Sequence, residues 1–87
     1  MTTVHLPSQL RDIAGDASLS LEGTDVREII SNLERRHPRV VGWVRDERGQ
    51  IRRHIKIFVN GEEADLDAAV ADADEIRILP AISGGGE

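Results

Sequence analysis

The chain has 87 residues, enough for one small domain with a modest core and little surface to spare for a deep catalytic pocket. It has no cysteine, which excludes disulfides, thiolate metal sites and side-chain thiol chemistry, so any sulfur it handles is carried elsewhere. Sixteen acids against eleven bases give a net charge of −5, and the arginines are interspersed with acids rather than clustered on one face, which disfavours nucleic-acid binding.

Thr3-Val4-His5-Leu6 alternates with Val4 and Leu6 on one side, and Pro7 ends regular pairing, which predicts a short first strand. Met1 to His5 lacks the basic start and apolar stretch of a signal peptide. No apolar run approaches membrane-spanning length, so a cytoplasmic protein is expected. Ala17 to Glu22 alternates strictly, with Ala17, Leu19 and Leu21 inward, and is expected to pair with the first strand through a loop over residues 11–16.

A helix begins after Gly23-Thr24-Asp25, where Asp25 or Thr24 can cap and Glu28 stands three residues after Asp25 as in a capping box. Val26, Ile29, Ile30 and Leu33 form one apolar stripe that can cover a sheet, and Pro38 stops the helix near His37. A short helical turn over Val40 to Val44 is expected to bring both valines into the core; Trp43 reads either way. Asp46 to Gln50 reads as an exposed loop.

Alternation resumes over Ile51 to Val59, with Ile51, Ile55, Ile57 and Val59 on one side and Arg52, His54, Lys56 and Phe58 on the other. Arg53 breaks the inward set. Asn60-Gly61 is a two-residue hairpin signal, and Glu62-Glu63-Ala64 can return as a brief strand. Leu66 to Val70 is expected as a helical turn, Ala73-Asp74 as a turn, and Glu75 to Leu79 as the last strand with Ile76 and Ile78 inward. Strand, strand, helix, strand, short strand, strand is an α+β order with one main helix on a four- to five-stranded sheet.

Catalytic constellations are scarce. His5, His37 and His54 lack the spacing of a metal-binding set, the acids from Glu62 to Asp74 read as a solvated surface, and Ser83-Gly84-Gly85-Gly86 lacks the lysine and following helix of a phosphate loop. Strand parity instead places Phe58, the chain's one phenylalanine, and Leu79 on the outer sheet face, where a partner would cover them. Residues 1–82 are expected to be the domain and residues 83–87 a flexible glycine-rich tail; three glycines near a terminus are by themselves more often a frayed end than a functional one.

Read in order, these segments resemble the ThiS/MoaD family of β-grasp (ubiquitin-like) sulfur carriers, whose members end in Gly-Gly. The likeness is carried by Leu6-Pro7-Ser8-Gln9-Leu10-Arg11, by Val26 to Glu34, by Ile57-Phe58-Val59-Asn60-Gly61-Glu62 and by Asp74 to Ile82. It is strongest to the carriers of thiocarboxylate-dependent cysteine synthesis. The resemblance implies a non-catalytic protein with no bound cofactor. An E1-like adenylyltransferase, using ATP and magnesium, would adenylate its terminal glycine carboxylate, and a sulfur donor would then leave a thiocarboxylate. A sulfur-accepting enzyme such as a PLP-dependent cysteine synthase would be the recipient.

The family ending Pro-Ala-Val-Ala-Gly-Gly lays onto Pro80 to Gly85, which makes Gly85 the reactive residue, with Gly86 the alternative if only Glu87 is lost. Ser83, Gly84 and Gly85 would be recognised as the tail, and Phe58, Leu79, Pro80 and Ile82 would face the partner. Gly86-Glu87 would be removed by a JAMM-type metallopeptidase cutting between Gly85 and Gly86. Alternative readings are a ubiquitin-like modifier conjugated through the same glycine, a MoaD-like small subunit of a molybdopterin synthase, and a β-grasp interaction module with an idle tail.

Overall fold

The computed structural model describes residues 1–81. Five strands form one mixed sheet in the order β2-β1-β5-β3-β4: β1 (Thr2–His5), β2 (Ser18–Leu21), β3 (Ile55–Val59), β4 (Glu62–Glu63) and β5 (Glu75–Pro80). β1 runs antiparallel to β2 and parallel to β5, which pairs antiparallel with β3. This is the β-grasp arrangement expected from the sequence, with the strand that precedes the C-terminal residues at the centre of the sheet.

The main helix, α2 (Val26–Arg36), forms for the reasons visible in its sequence. The Asp25 carboxylate accepts from the Glu28 backbone N–H at 2.8 Å while Glu28 accepts from the Thr24 N–H at 2.7 Å, a reciprocal cap worth about 1 kcal/mol. Val26, Ile29, Ile30 and Leu33 are fully buried against Val4, Ile57, Ile76 and Ile78 in one core. Gly23 lies so close to this helix that an added Cβ would stand 2.8 Å from Ile29 Cδ1 and 3.0 Å from its backbone nitrogen, which leaves room for no side chain.

A second helix occupies a stretch expected as loop: α1 (Ser8–Ala14) follows Pro7, and Gly15 caps it in the left-handed conformation, donating its N–H to the Arg11 carbonyl at 2.8 Å. Leu10 is buried and Ile13 and Ala14 pack against the core, an i, i+3, i+4 set too short to stand out in sequence. The predicted pairing of β1 with β2 holds despite the helix between them, but Ala17 is exposed and outside the strand. Val40 and Val44 are both buried, as expected, and Pro38–Val40 is a single 3₁₀ turn.

Two other expectations are corrected. Leu66 to Val70 turns only at its start: Ala68 donates to the Asp65 carbonyl at 3.2 Å around Leu66-Asp67, and Ala69 then bridges Asp25. There the α2 N-terminus recruits the segment's carbonyls, Val26 donating to Ala68 and Arg27 to Leu66, both at 3.0 Å, satisfying helix donors that have no partner of their own. Leu66 and Val70 are buried all the same. The strand predicted from Ile51 begins only at Ile55, since Ile51 bridges Arg45 and a turn closed by Ile55 N–H to the Arg52 carbonyl intervenes.

The Asn60-Gly61 hairpin has both residues at positive φ, 51° and 88°, as a type I′ turn requires. Asn60 also donates to Asp74, which accepts from the Ala71 N–H as well, and these bonds hold the Asp74 carboxyl below its ordinary pKa. A carboxyl lowered by folding stabilises fully above its unfolded value of about 3.9 and loses that contribution as pH falls through the folded value. Asn60→Gly keeps the turn conformation but removes the amide, so acid unfolding followed by circular dichroism is expected to shift to a higher pH midpoint; an unchanged midpoint would show that the pair is idle.

Candidate functional site

β5 alternates as predicted, with Ile76 and Ile78 fully buried and Glu75, Arg77 and Leu79 facing out. On the neighbouring strand β3, Lys56 and Phe58 face the same way. The register pairs Lys56 with Leu79 and Phe58 with Arg77, so Phe58 and Leu79 are diagonal neighbours on the outer face. Leu79 is 41% exposed. Phe58 is half-buried, less open than parity alone suggested, because Arg77 on one side and Glu63 on the other stand directly opposite it.

Paired charges surround these two side chains. Lys56 Nζ donates to Glu63 at 2.9 Å, and His5 Nε2 lies 2.9 Å from Glu75. Such exposed pairs add little stability, but they hold their side chains beside the apolar centre and give the face a fixed pattern. An apolar pair inside a charged rim is suited to docking a protein surface.

β5 ends at Pro80, one residue before the last described residue. Pro80 is exposed, and the Ala81 N–H donates to the His54 carbonyl at 2.7 Å. Of the predicted site residues, Phe58 and Leu79 are thus brought together on the outer face, Pro80 ends β5 on the opposite side of the sheet, and Ile82, Ser83, Gly84, Gly85 and Gly86 lie outside the described residues.

Sequence reasoning passed over the other side of the same strand end. There, Pro7, Leu10, Trp43, His54, Ile55 and Pro80 line a mostly apolar cleft of about 60 Å³. Its signal was present: the chain's one tryptophan sits in a tight loop between arginines, and it is 44% exposed.

Among the described residues no group of three or more His, Asp or Glu side chains is placed to hold a metal ion; His5 lies in β1, His37 ends α2 and His54 precedes β3. Among the same residues no helix is long and apolar enough to cross a membrane.

Comparison with known proteins matches residues 4–85 to the ThiS family. The chain is 34% identical over 90 residues to the sulfur carrier protein CysO of Mycobacterium tuberculosis, covering 95% of this chain and 97% of that one. It is also 34% identical over 74 residues to small archaeal modifier protein 1 of Haloferax volcanii, covering 85% and 77% respectively. Among solved structures, a chain of the BexX/CysO complex of Amycolatopsis orientalis superposes with a TM-score of 0.87 at 36% identity, covering 98% of this chain and 100% of that one. A match over residues 4–85, on a β-grasp sheet whose last strand lies at its centre, makes this protein a member of the ThiS family, a small sulfur carrier with no catalytic role of its own.

Proposed function

We propose that the carried sulfur is a thiocarboxylate on Gly85. An E1-like adenylyltransferase, using ATP and magnesium, would join the Gly85 carboxylate to AMP with release of pyrophosphate. A sulfur donor would then attack the acyl carbon and expel AMP, leaving the terminal C(=O)S⁻. The observation that carries this reading is the path of β5: it presents the exposed Leu79 diagonally beside the half-buried Phe58 of β3 and continues in sequence into Ser83-Gly84-Gly85. A partner can therefore grip the domain on the sheet while receiving the residues that follow.

The family match reaches Gly85 and stops before Gly86 and Glu87, which supports Gly85 as the acyl-bearing residue. A chain that reads on through Gly86-Glu87 then needs scission between Gly85 and Gly86 first, a task for a JAMM-type metallopeptidase. Residues 83–87 are proposed to act as a tail beyond a domain of residues 1–82, in a cytoplasmic protein. The resemblance to carriers of cysteine synthesis, which covers nearly all of the chain, together with the 34% identity to CysO, favours cysteine synthesis, through a PLP-dependent synthase, as the destination of the sulfur. A second reading, conjugation to protein lysines through the same glycine, is favoured by the 34% identity to the archaeal modifier.

Phe58→Ala is expected to raise KM for adenylation about tenfold with kcat unchanged, the size of effect a central aromatic contact commonly has. ATP–pyrophosphate exchange by the E1-like enzyme of the same cells measures this. Incubation with sulfide then separates the readings: a terminal thiocarboxylate by intact mass supports the carrier, and adducts on lysines of other proteins support the modifier. A KM unmoved by both Phe58→Ala and Leu79→Ala would remove the outer face from the site.

A further inference from the structure

The outer face leaves the exposed Trp43 unexplained. Trp43 lies on the helix side of β5, in a loop made tight by its N–H bond to the Val40 carbonyl at 3.0 Å and by Gly42 at φ 91°. Arg52 Nε donates to the Gly42 carbonyl and Arg52 N–H to the Val44 carbonyl, which ties the residues before β3 to this loop. Arg39, Val41, Trp43, Arg53 and His54 are all exposed in these two joined segments, and His54 shares the apolar cleft with Trp43 and Pro80.

Charge separates this end from the opposite one. Residues 62–75 carry seven acids and no base, at the end of the sheet where β5 begins. Among the described residues, Arg27, Arg45, Lys56 and Arg77 each have a carboxylate within 4.0 Å, whereas Arg39, Arg52 and Arg53 have none, as is also true of Arg11, Arg35, Arg36 and Arg48; Arg39 and Arg53 differ from these in flanking the exposed Trp43 segment. The acids closest in sequence are Glu34, which is paired with Arg45, and Asp46 and Glu47, neither of which lies within 4.0 Å of Arg39 or Arg53. The Asp46 carboxylate is engaged by the backbone N–H groups of Arg48 and Gln50. Arg39 and Arg53 therefore keep their charge available to a partner.

We propose that Trp43, with Arg39 and Arg53, is a second docking surface, which fits an acidic rim around the channel of the activating enzyme that receives Gly85. This rests on the reading given under Proposed function. Three features select that occupant. The Ala81 N–H is bonded to His54, so a protein enclosing the residues after Ala81 must cross this surface. Pro80 links it to the outer face through alternate residues of one strand, Leu79 facing one way and Pro80 lining the cleft on the other. Tryptophan and arginine are the side chains that most often dominate binding energy, and unpaired arginines complement an acidic rim.

The test is ATP–pyrophosphate exchange by the E1-like enzyme of the same cells, with the chain in whichever C-terminal form supports exchange by the unaltered protein. Arg39→Glu with Arg53→Glu is expected to raise KM at least tenfold, leave kcat unchanged and flatten the dependence of kcat/KM on salt. Trp43→Ala is expected to raise KM about tenfold at all salt concentrations. Arg39→Lys with Arg53→Lys should restore the salt dependence, and Arg27→Glu with Arg35→Glu, an equal charge change on α2, should leave KM within twofold. Circular dichroism establishes that each variant is folded.

If the Arg39/Arg53 and Trp43 variants match the unaltered chain while Phe58→Ala raises KM, this surface is not a docking site and the carrier reading stands. If Arg27→Glu with Arg35→Glu is as damaging as Arg39→Glu with Arg53→Glu, the effect is one of net charge and the local surface is likewise refuted. If the unaltered chain supports no exchange in any C-terminal form, the carrier reading fails and the inference fails with it.

Discussion

A chain cut after Gly85 is expected to be adenylated and to gain one sulfur in place of one oxygen, whereas the 87-residue chain is expected to yield neither product. The reason is steric and electrostatic together. Adenylation requires a carboxylate on a residue that enters a narrow site, and glycine has no Cβ to obstruct the approach and adopts backbone angles other residues avoid. Glu87 would instead bring a second carboxylate on a two-carbon stem to the reacting phosphate. From Ala81, four residues to Gly85 span at most about 14 Å, so the docked domain and the reacting carbon are separated by a fixed reach. Two extra residues place the wrong carbon there. Misplacement by about 1 Å can already reduce a rate about 10²-fold. In the truncated chain Gly85→Ala should therefore reduce exchange by about that factor while leaving thermal unfolding unchanged. Exchange and intact mass decide the matter: full activity of a chain retaining Gly86 and Glu87 would refute both the assignment to Gly85 and the need for scission.

What was legible in the sequence was local or strictly periodic. The α2 stripe, its capping box, the Asn60-Gly61 turn and the alternation in β5 each follow from residues a few positions apart, and each is present as read. The Phe58 and Leu79 face was legible for the same reason, since parity in two strands needs only the sequence of each. What was not legible depends on distant partners. Leu66-Asp67 turns as its composition suggests, but the unpaired N–H groups of α2 draw the Leu66 and Ala68 carbonyls to them, and Ala69 bridges Asp25 where the sequence suggested that the turn would continue. The start of β3 is delayed because Arg52 bonds back to Gly42 and Val44 across the Asp46–Gln50 loop. The cleft beside Trp43 combines α1, that loop and the end of β5, so no single segment announces it. α1 itself was local, but seven residues gave only one apolar triplet, and the Gly15 cap was its strongest sign.

The ion pair between Glu34 and Arg45 is expected to show an asymmetry that the exposed pairs do not. Arg45 Nη2 donates to Glu34 Oε1 at 2.5 Å and Nε reaches Oε2 at 3.4 Å, with the side chains only 17% and 13% exposed. Removing either partner leaves a charge with little water to solvate it. Loss of one member of a fully buried pair costs about 3–5 kcal/mol; with this residual exposure, Glu34→Ala or Arg45→Met alone should cost about 2–3 kcal/mol. That is a large share of a small domain's total, which is about 5–15 kcal/mol. Replacing both as Glu34→Leu with Arg45→Met removes the stranded charge and should restore most of the loss. The pair also joins α2 to the residue that bridges Ile51, and so anchors the loop behind Trp43. Single variants should therefore raise KM for adenylation as well as lower stability, and the double variant should recover both. Urea unfolding of the two single variants and the double variant, run beside the exchange assay, tests this coupling. Additive losses in the double variant would mean that the two charges act independently and that the loop is held by its backbone bonds alone.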